Sequence, residues 1–391
     1  MRLPGPTEAF ALFDDARERG PAPARLYRDP VSVIAAHRME DVQPALDRLA
    51  EAAEAGLHAA GFISYEAGLA LEDRLLPLAK RRRADASGAP LLWFGLFEGV
   101  RLIEPGALPP LLPDPATARV ESAQPLISEA AYRAAFAQVQ DLIRAGDIYQ
   151  VNLTFPCAAR FSGDIMALYA AIRPRQCAGY GGVIRTGDHS ILSFSPELFF
   201  TSVRGQLTAR PMKGTAPRGA DPVRDAALRD WLESDAKQRA ENLMIVDLLR
   251  NDLSRVARAG SVTVPDLFKV ETYPTVHQMV STVRARLLPG LSPVDVLRVL
   301  FPCGSITGAP KVRAMEIIDA VEAFPRGVYT GSMGWIDPEG DAAFNVAIRT
   351  ICVEEGRREG RLGLGSGIVA DSEAASEWAE CLAKGRFLAP A

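Results

Sequence analysis

The chain has 391 residues, of which 48% are hydrophobic and 24% are charged, and its formal net charge is −4. This length corresponds to two or three domains of about 150 residues or to one large unit, and the composition is that of a folded globular protein rather than a disordered one. Because there is no excess of positive charge to hold a nucleic-acid backbone or an anionic membrane, neither is expected as a partner.

Cysteine usage and the N-terminal residues indicate the compartment. The odd number of cysteines and the absence of any C-x-x-C pair argue against a disulfide framework and a zinc site, and favour a reducing cytoplasm. The first 20 residues contain acidic side chains before any apolar segment could form, and no run of about 18 apolar residues occurs in the chain. The sequence predicts a cytoplasmic protein that does not span a membrane.

The first part of the chain carries little recognisable chemistry. Its hydrophobic periodicity predicts one helix and two strands, over 41–57, 60–65 and 91–97. Five prolines between Pro105 and Thr117 cannot continue a helix or donate to a β-ladder, so this segment is expected to cross the surface. We therefore predict an N-terminal region, 1–117, packed onto a catalytic domain, 118–391.

In the second part, strands and helices do not alternate strictly. A helix is predicted from the N-cap Ser128 to Gly146. Further helices are predicted over 235–256, 309–323 and 372–387, and strands over 149–155, 190–203, 331–336 and 343–353. A parallel doubly wound sheet would need regular βαβ units, so the pattern favours an α+β fold with mixed or antiparallel sheets covered by helices.

Carboxylates occur on two predicted helices that are far apart in sequence. The helix over 235–256 is apolar nearly all round its middle, so Glu241, Asp247 and Asp252 need either arginine partners or a function. Glu377 and Glu380 are three residues apart and share one helix face, with Lys384 four residues further on. If the two helices converge, the carboxylates offer hard oxygen ligands suited to Mg²⁺.

Lys213 stands out because only six of the 44 basic residues are lysine, and an arginine cannot act as a nucleophile. It lies in a loop-like segment, PMKGT, sixteen positions after Glu197. A strand and a return turn could bring the two side chains together, either as a simple ion pair or as a nucleophilic amine beside a general acid. The spacing does not choose between these two interpretations.

Two glycine-rich turns, GSITGAPK at 304–311 and GLGSGIVAD at 363–371, each lead towards a predicted helix. Exposed backbone amides in such turns can bind an anion, although glycine first of all marks turn geometry. By default His277 would be a hydrogen-bonded core histidine, and Arg349 a cation at a strand edge.

Together these motifs resemble the chorismate-utilising enzyme family, and the resemblance covers about residues 120–388. The motifs occur in the family's order: SPE at 195–197, PMKGT at 211–215, AENLMIVDLLRND at 240–252, VHQMVST at 276–282, GSITGAPK at 304–311, AIRT at 347–350, GSGIVADS at 365–372 and the acidic residues with lysine at 377–384. The resemblance implies an α+β fold of antiparallel sheets packed face to face with helices outside, and one site for chorismate and Mg²⁺.

The resemblance also implies roles for individual residues. Glu241 and Glu380 would bind Mg²⁺ directly and Glu377 through water. The substrate-binding set would comprise the side chains of Arg349 and Lys384, the backbone amides of Ser366 and Gly367, and the residues Thr307, Tyr329 and His277. Because chorismate is a dianion, the cations would neutralise and orient it.

Within the family, two positions indicate the p-aminobenzoate branch. Its members commonly carry a lysine where Lys213 stands, whereas isochorismate-forming relatives carry a water-activating lysine where this chain has Gln150. The expected reaction joins chorismate and ammonia to give 4-amino-4-deoxychorismate, with Lys213 as the nucleophile and Glu197 as the general acid. Ammonia would come from a separate glutamine amidotransferase subunit, because no cysteine lies in a G-x-C-x-G elbow. The alternatives are the large subunit of anthranilate synthase, an isochorismate synthase and a catalytically silent homologue.

Overall fold

The computed structural model describes residues 2–79, 88–273 and 276–388. Short strands dominate this part of the chain. They are β1 (Phe10–Asp14), β2 (Ala24–Arg28), β3 (Ser32–Ala36), β4 (His58–Ile63), β5 (Leu92–Phe97), β6 (Arg101–Ile103), β7 (Arg119–Val120), β8 (Gln124–Pro125), β9 (Gln150–Ser162), β10 (Gly181–Arg185), β11 (His189–Ser193), β12 (Leu198–Val203), β13 (Gln206–Arg210), β14 (Met212–Pro217), β15 (Thr263–Thr272), β16 (Val276–Arg286), β17 (Gly308–Ala309), β18 (Ser332–Ile336), β19 (Ala342–Asn345), β20 (Thr350–Glu354) and β21 (Glu359–Ile368).

Helices occur between these strands and at the end of the described chain. They are α1 (Val42–Glu54), α2 (Leu76–Ala79), α3 (Glu129–Arg144), α4 (Ile165–Gln176), α5 (Pro222–Ser234), α6 (Ala236–Ser254), α7 (Pro293–Leu300), α8 (Lys311–Val321) and α9 (Ala374–Gly385). The Ser128 hydroxyl accepts from the Ala131 amide and caps α3, as its sequence predicts. Among the described residues, no helix is long and apolar enough to cross a membrane.

The strands form two large sheets. The first sheet runs β17-β9-β21-β20-β11-β10-β1-β2-β6, with β7 and β8 also paired to β9, and the second runs β14-β16-β13-β12-β19-β18-β4-β5-β3, with β15 paired to β16. The register of neighbouring strands is antiparallel throughout, as between Gly367 and Asn152 on β21 and β9. The fold is α+β, and the prediction of antiparallel sheets covered by helices is confirmed.

The two sheets pack face to face. Ala11 and Ile191 of the first sheet share one buried cluster with Phe62 and Met333 of the second. The rings of Tyr27 and Phe97 meet across the sheets with centroids 5.5 Å apart. Because alternate side chains of a strand point to one face, these contacts place the largest apolar residues between the layers.

Both sheets draw strands from both parts of the chain. The strands before residue 117 contribute β1, β2 and β6 to the first sheet and β3, β4 and β5 to the second. The proline-rich segment at 105–117 therefore connects strands of continuous sheets and does not separate two independent layers. In this segment the chain forms two short 3₁₀ turns, at Pro109–Leu111 and Pro115–Thr117.

Two predicted strands are each broken into a pair. The segment 190–203 contains β11 of the first sheet and β12 of the second, and the segment 343–353 contains β19 of the second sheet and β20 of the first. The prediction of single strands is wrong here because the chain stays buried while it passes between the layers, so the apolar pattern continues through the crossing. The two crossings run side by side: the Val346 amide donates to the Glu197 carbonyl and the Phe194 amide to the Arg349 carbonyl, both at 3.1 Å.

Candidate active site

The paired crossings place Glu197 between the sheets, where its carboxyl group is buried. The residue is 5% exposed, and its backbone amide donates to the Ser195 hydroxyl at 3.2 Å. Ser195 in turn donates to the carbonyl of Val346 on the other crossing at 2.6 Å. These bonds fix the position of Glu197 without using its carboxyl oxygens.

The hydroxyl of Ser305 donates to Oε1 of Glu197 at 2.7 Å, and the backbone amide of Met212 also favours the ionised carboxyl group. Burial raises the pKa of Glu197, while the Ser305 bond and the positive charge of Lys213 oppose that rise. A carboxyl group with a raised pKa can remain protonated closer to neutral pH and can act as an acid.

Lys213 enters the same cleft from β14. The register of β14 against β16 shifts between Met212 and Thr215, and Gly214 has a left-handed φ of +94°, so the strand bends at the lysine. Behind it, the Asn242 side chain of α6 donates to the Lys213 carbonyl at 3.2 Å. The bend and this contact direct the lysine out of the ladder and towards the end of the first sheet.

The ammonium group of Lys213 lies in a poorly solvated place. Burial lowers its pKa, and the nearby charge of Lys384 lowers it further, while Glu197, Glu241 and Glu380 raise it. Within the described residues, no hydrogen bond or ion pair reaches Lys213 Nζ. Lys213 and Glu197 therefore do not form the ion pair that was one of the two interpretations of the sequence. They share a cleft, and the charge of each shifts the pKa of the other.

Gln150 and Gly367 form the wall opposite the lysine. A Cβ atom added at Gly367 would lie 3.0 Å from Gln150 Nε2 and 3.2 Å from Lys213 Nζ. Gln150 is 1% exposed, and neither its amide nitrogen nor its amide oxygen has a partner among the described residues. A buried amide without partners costs stability unless a ligand satisfies it, so this end of the cleft is built to receive a polar group.

The predicted metal ligands lie on α6 and α9 at the mouth of the cleft. The pKa of Glu241 is raised by burial and by the negative charges of Asp371 and Glu377, so the carboxylates of the two helices sense each other. Glu377 accepts from the Ser372 hydroxyl and Glu380 pairs with Lys384 Nζ, at 2.7 and 2.8 Å. Among the described residues, no group of three acidic, histidine or cysteine side chains is gathered closely enough to hold a metal ion.

The donor chemistry of this set nevertheless fits Mg²⁺. Glu241 makes no ion pair or hydrogen bond within the described part of the chain, although it is half-buried beside other carboxylates. Its neighbours on α6 differ: Asp247 pairs with Arg250 and Asp252 with Lys311, both at 2.7 Å. The ion-pair interpretation thus holds for Asp247 and Asp252. The carboxylate oxygens of Glu241 are available to bind a hard cation.

Arg349 and Tyr329 lie towards the other end of the glycine-rich strand β21. A Cβ atom at Gly363 would overlap the ring of Tyr329. A cavity of about 100 Å³ opens beside Gly363 and Tyr329. Gly363 and Gly367 share one face of β21 and are separated by about 13 Å along an antiparallel strand. Arg349 has a left-handed φ of +49°, donates to Gln176 at 3.0 Å and has a pKa lowered by burial. It is a half-buried cation with no carboxylate partner in the described residues.

Four predicted substrate-binding residues have side chains that bond to other parts of the protein. His277 Nε2 lies 2.9 Å from Asp225 of α5, and its Nδ1 lies 2.9 Å from Thr272 of β15. Both ring nitrogens are therefore occupied by contacts within the protein. The Thr307 hydroxyl donates to carbonyls of its own turn. The Ser366 hydroxyl accepts from the Cys381 thiol on α9, and Lys384 Nζ donates to the neighbouring Gly365 carbonyl.

Sequence reasoning did not single out Ser305, although it lies within the GSITGAPK turn. Its hydroxyl reaches a carboxyl group 108 residues away in sequence, and no local pattern reports such a contact. The sequence predicts the turn itself, and the position of a hydroxyl residue between Gly304 and Gly308 is the local feature that could have indicated Ser305.

Comparison with known proteins shows the family of this chain. Residues 8–390 match the family of chorismate binding enzymes, and the chain belongs to that family. It is similar to aminodeoxychorismate synthase component 1 of Klebsiella aerogenes, with 46% identity over 258 residues that cover 66% of this chain and 57% of the relative. The aligned region thus spans little more than half of that relative.

Relatives with another named activity also match. Anthranilate synthase component 1 of Pseudomonas aeruginosa is 40% identical over 257 residues, which cover 66% of this chain and 52% of that protein. The crystal structure of anthranilate synthase component I from Streptococcus pneumoniae superimposes with a TM-score of 0.81 at 27% identity, covering 99% of this chain and 95% of that one.

Gly367→Ala tests the geometry of the cleft. The new methyl group would crowd Gln150 and Lys213, so chorismate turnover should fall roughly 10- to 100-fold with an unchanged melting temperature. Gly99→Ala is the control, because a Cβ atom there meets nothing within 4 Å. Steady-state kinetics and thermal melts measure both effects, and full activity of Gly367→Ala would show that this wall does not contact the substrate.

Proposed function

We propose that this chain converts chorismate and ammonia into 4-amino-4-deoxychorismate and water, using Lys213 as a covalent nucleophile. The observation that carries the proposal is the shared cleft of Lys213 and Glu197: an amine whose pKa is lowered beside a carboxyl group whose pKa is raised. These directions favour the neutral amine and the protonated acid, the two forms that the first step needs. The similarity to proteins named aminodeoxychorismate synthase component 1 supports the same reaction.

In the first half of the reaction, the neutral Lys213 amine attacks ring carbon C2. The two ring double bonds shift towards C4, and the C4 hydroxyl leaves as water with the proton of Glu197. The product of this half is a secondary ammonium adduct on Lys213, with Glu197 as a carboxylate. Dividing a difficult displacement into two easier steps is the general advantage of covalent catalysis.

In the second half, ammonia attacks C4 of the adduct. The double bonds shift back, and Lys213 leaves C2 as a neutral amine. The ammonium group formed at C4 gives one proton to the Glu197 carboxylate, which restores the acid. Atoms and charges balance as chorismate plus ammonia giving aminodeoxychorismate plus water.

The cations and backbone amides around the cleft bind the substrate in this proposal. Arg349 and Lys384 would each take a carboxylate of the dianion, since Arg349 is a half-buried cation that has no acidic partner among the described residues and Lys384 acts on both reacting residues. Backbone amides of Ser366 and Gly367 would assist along β21, with Tyr329 and Thr307 lining the pocket. His277 would act on the substrate only through the sheet that it holds.

The proposal includes a magnesium ion at the mouth of the cleft. Glu241 and Glu380 would hold it, with Glu377 acting through water, because the charge of Glu377 acts on Glu241 and the charges of Glu241 and Glu380 both act on Lys213. Bound there, Mg²⁺ would neutralise negative charge on the substrate and orient the ring.

Ammonia is proposed to come from a separate glutaminase subunit. A glutaminase of the cysteine type needs an accessible thiol with a low pKa. Four of the five cysteines are buried, and burial raises the pKa of Cys157 and of Cys303 to about 12. The name component 1 of the relatives agrees with a second subunit.

Anthranilate synthesis is the second candidate, favoured by the similarity to proteins of that name. Lys213 distinguishes the two, because the anthranilate reaction works without an amine at this position. Isochorismate formation is disfavoured by Gln150, whose amide cannot take a proton from water at neutral pH. A silent homologue would not consume chorismate at all.

Product analysis of the purified chain tests the proposed reaction. With chorismate, Mg²⁺ and ammonia, chromatography should show aminodeoxychorismate, and Lys213→Ala should lower its formation on the order of 100-fold or more because the nucleophile is lost. Residual turnover of that variant should shift to products substituted at C2.

The matched control is Lys269→Ala, which removes an exposed lysine outside the cleft and should leave the product and its rate unchanged. Anthranilate as the main product of the wild-type chain would contradict the assignment. Undiminished aminodeoxychorismate formation by a folded Lys213→Ala variant would exclude the covalent route.

Glu380→Gln tests the magnesium site. The substitution removes one negative charge without changing size, so half-saturation by Mg²⁺ should require at least about tenfold more metal, and excess metal should restore part of the activity. Glu373→Gln removes a carboxylate from the exposed start of the same helix and should behave as wild type. Titration of activity and of metal binding by calorimetry distinguishes the two, and equal losses in both variants would refute the role of Glu380.

A further inference from the structure

Arg326 and Glu322 form a buried ion pair near the cleft. Neither residue takes part in the proposed reaction. The side chains are 1% and 3% exposed, and the guanidinium group holds the carboxylate through two bonds, from Nε at 2.8 Å and from Nη2 at 2.7 Å. Removing two charges from water costs several kcal/mol per ion, and such pairs are often replaceable by apolar residues without loss of stability. Stability alone is therefore a weak reason for this pair.

The remaining guanidinium hydrogens of Arg326 reach backbone carbonyls in the 3₁₀ turn before β17 and in strand β9. Nη1 donates to the Ile306 carbonyl at 2.9 Å, and Nη2 donates to the Asn152 carbonyl at 2.7 Å. The ring of Tyr65 lies under the guanidinium carbon, 4.4 Å from it. The planar fork of arginine can satisfy these acceptors together, which a lysine cannot do.

Both acceptors adjoin groups of the cleft. Ile306 stands between Ser305, which donates to Glu197, and Thr307, whose carbonyl accepts from the Asn152 amide at 2.7 Å. Glu322 additionally accepts from the Thr154 amide of the same strand at 2.8 Å. One guanidinium group thus joins the turn that carries Ser305 to strand β9, which begins with Gln150.

We propose that Arg326 is a positioning residue that holds the 303–307 turn so that the Ser305 hydroxyl is aimed at Glu197. The inference rests on the proposed function for its catalytic meaning, since it concerns the acid of that reaction. The buried Arg326–Glu322 pair would thus fix the position of the Ser305 hydroxyl through the neighbouring Ile306 carbonyl, without contacting the hydroxyl.

The consequence for the acid can be worked out from the groups that face it. Those groups are Lys213 and the backbone amide of Met212 from β14, Lys384 from α9, Cys303 beside the turn and Ser305 within it. Ser305 donates to the carboxylate and so favours the ionised form. If the turn moves, that bond weakens, the pKa of Glu197 rises, and the loss of activity with increasing pH that follows deprotonation of the acid moves to higher pH.

A double-mutant cycle tests the inference. The variants are Arg326→Lys, Ser305→Ala and the combination, and the pKa of Glu197 is followed by ¹³C NMR of carboxyl-labelled glutamate, assigned with Glu197→Gln. Each single variant should raise that pKa, and the double variant should raise it no further than Ser305→Ala, because both act through one bond. Turnover of Arg326→Lys should fall roughly 10- to 100-fold, with the basic limb of its pH profile displaced upward.

Arg25→Lys is the matched control, because Arg25 also forms a two-bond pair with a carboxylate, Asp337, and also stacks on a ring, that of Trp335. It should leave the pKa of Glu197 unchanged. If Arg326→Lys does not fold, Glu322→Gln, which loosens the same guanidinium group, takes its place in the cycle.

The outcomes separate the inference from the proposed function. An unchanged pKa of Glu197 in the Arg326 or Glu322 variant, or shifts that add in the double variant, would overturn the positioning role. The NMR titration needs no turnover, so a wild-type chain that failed to make aminodeoxychorismate would refute the proposed reaction while this test still decided the role of Arg326.

Discussion

The central constraint in this structure is the placement of a lysine where its positive charge is poorly solvated. In the proposed reaction Lys213 must be neutral to attack a carbon atom, and an exposed lysine near pH 7 is almost entirely protonated. Burial and the charge of Lys384 lower its pKa, whereas three carboxyl groups raise it. The cleft leaves Nζ beside Gln150 and Gly367 without an ion-pair partner among the described residues, and burial of the ammonium group favours the neutral amine.

The fold meets this constraint by passing the chain between its two sheets. Glu197 and Arg349 both lie on crossings from one layer to the other, and these crossings are hydrogen-bonded to each other. A residue on a regular strand would point either into the interlayer core or outwards. A residue on a crossing can instead face the cleft. The proposed reaction needs its acid, Glu197, and a cation for a substrate carboxylate, Arg349, in such positions. The left-handed backbone of Arg349 is a local cost of that placement.

Much of this could be predicted from sequence, because much of it is local. The boundaries of α3 and α6, the shared face of Glu377 and Glu380 and the turn at 304–311 follow from periodicity, capping and glycine. The prediction of a glycine-rich turn at 363–371 is wrong for its first part, because the segment 363–368 continues strand β21 and pairs with β9. The crossings could not be predicted, since a buried connection has the same apolar pattern as a strand. Contacts such as Ser305 with Glu197 or Arg326 with Asn152 join residues more than 100 positions apart and have no sequence periodicity. His277 illustrates the opposite difficulty. The motif indicates a substrate-binding residue, but only the structure shows that its two ring nitrogens contact Asp225 and Thr272.

The claim that Lys213 forms a covalent bond to the substrate is tested most directly by mass spectrometry. The wild-type chain would be incubated with chorismate and Mg²⁺ in the absence of ammonia, quenched, and mapped by proteolysis. The account predicts a mass increase equal to chorismate less water on the peptide containing Lys213, which disappears when ammonia is added before quenching. An unmodified Lys213 in a sample that forms aminodeoxychorismate once ammonia is supplied would contradict it.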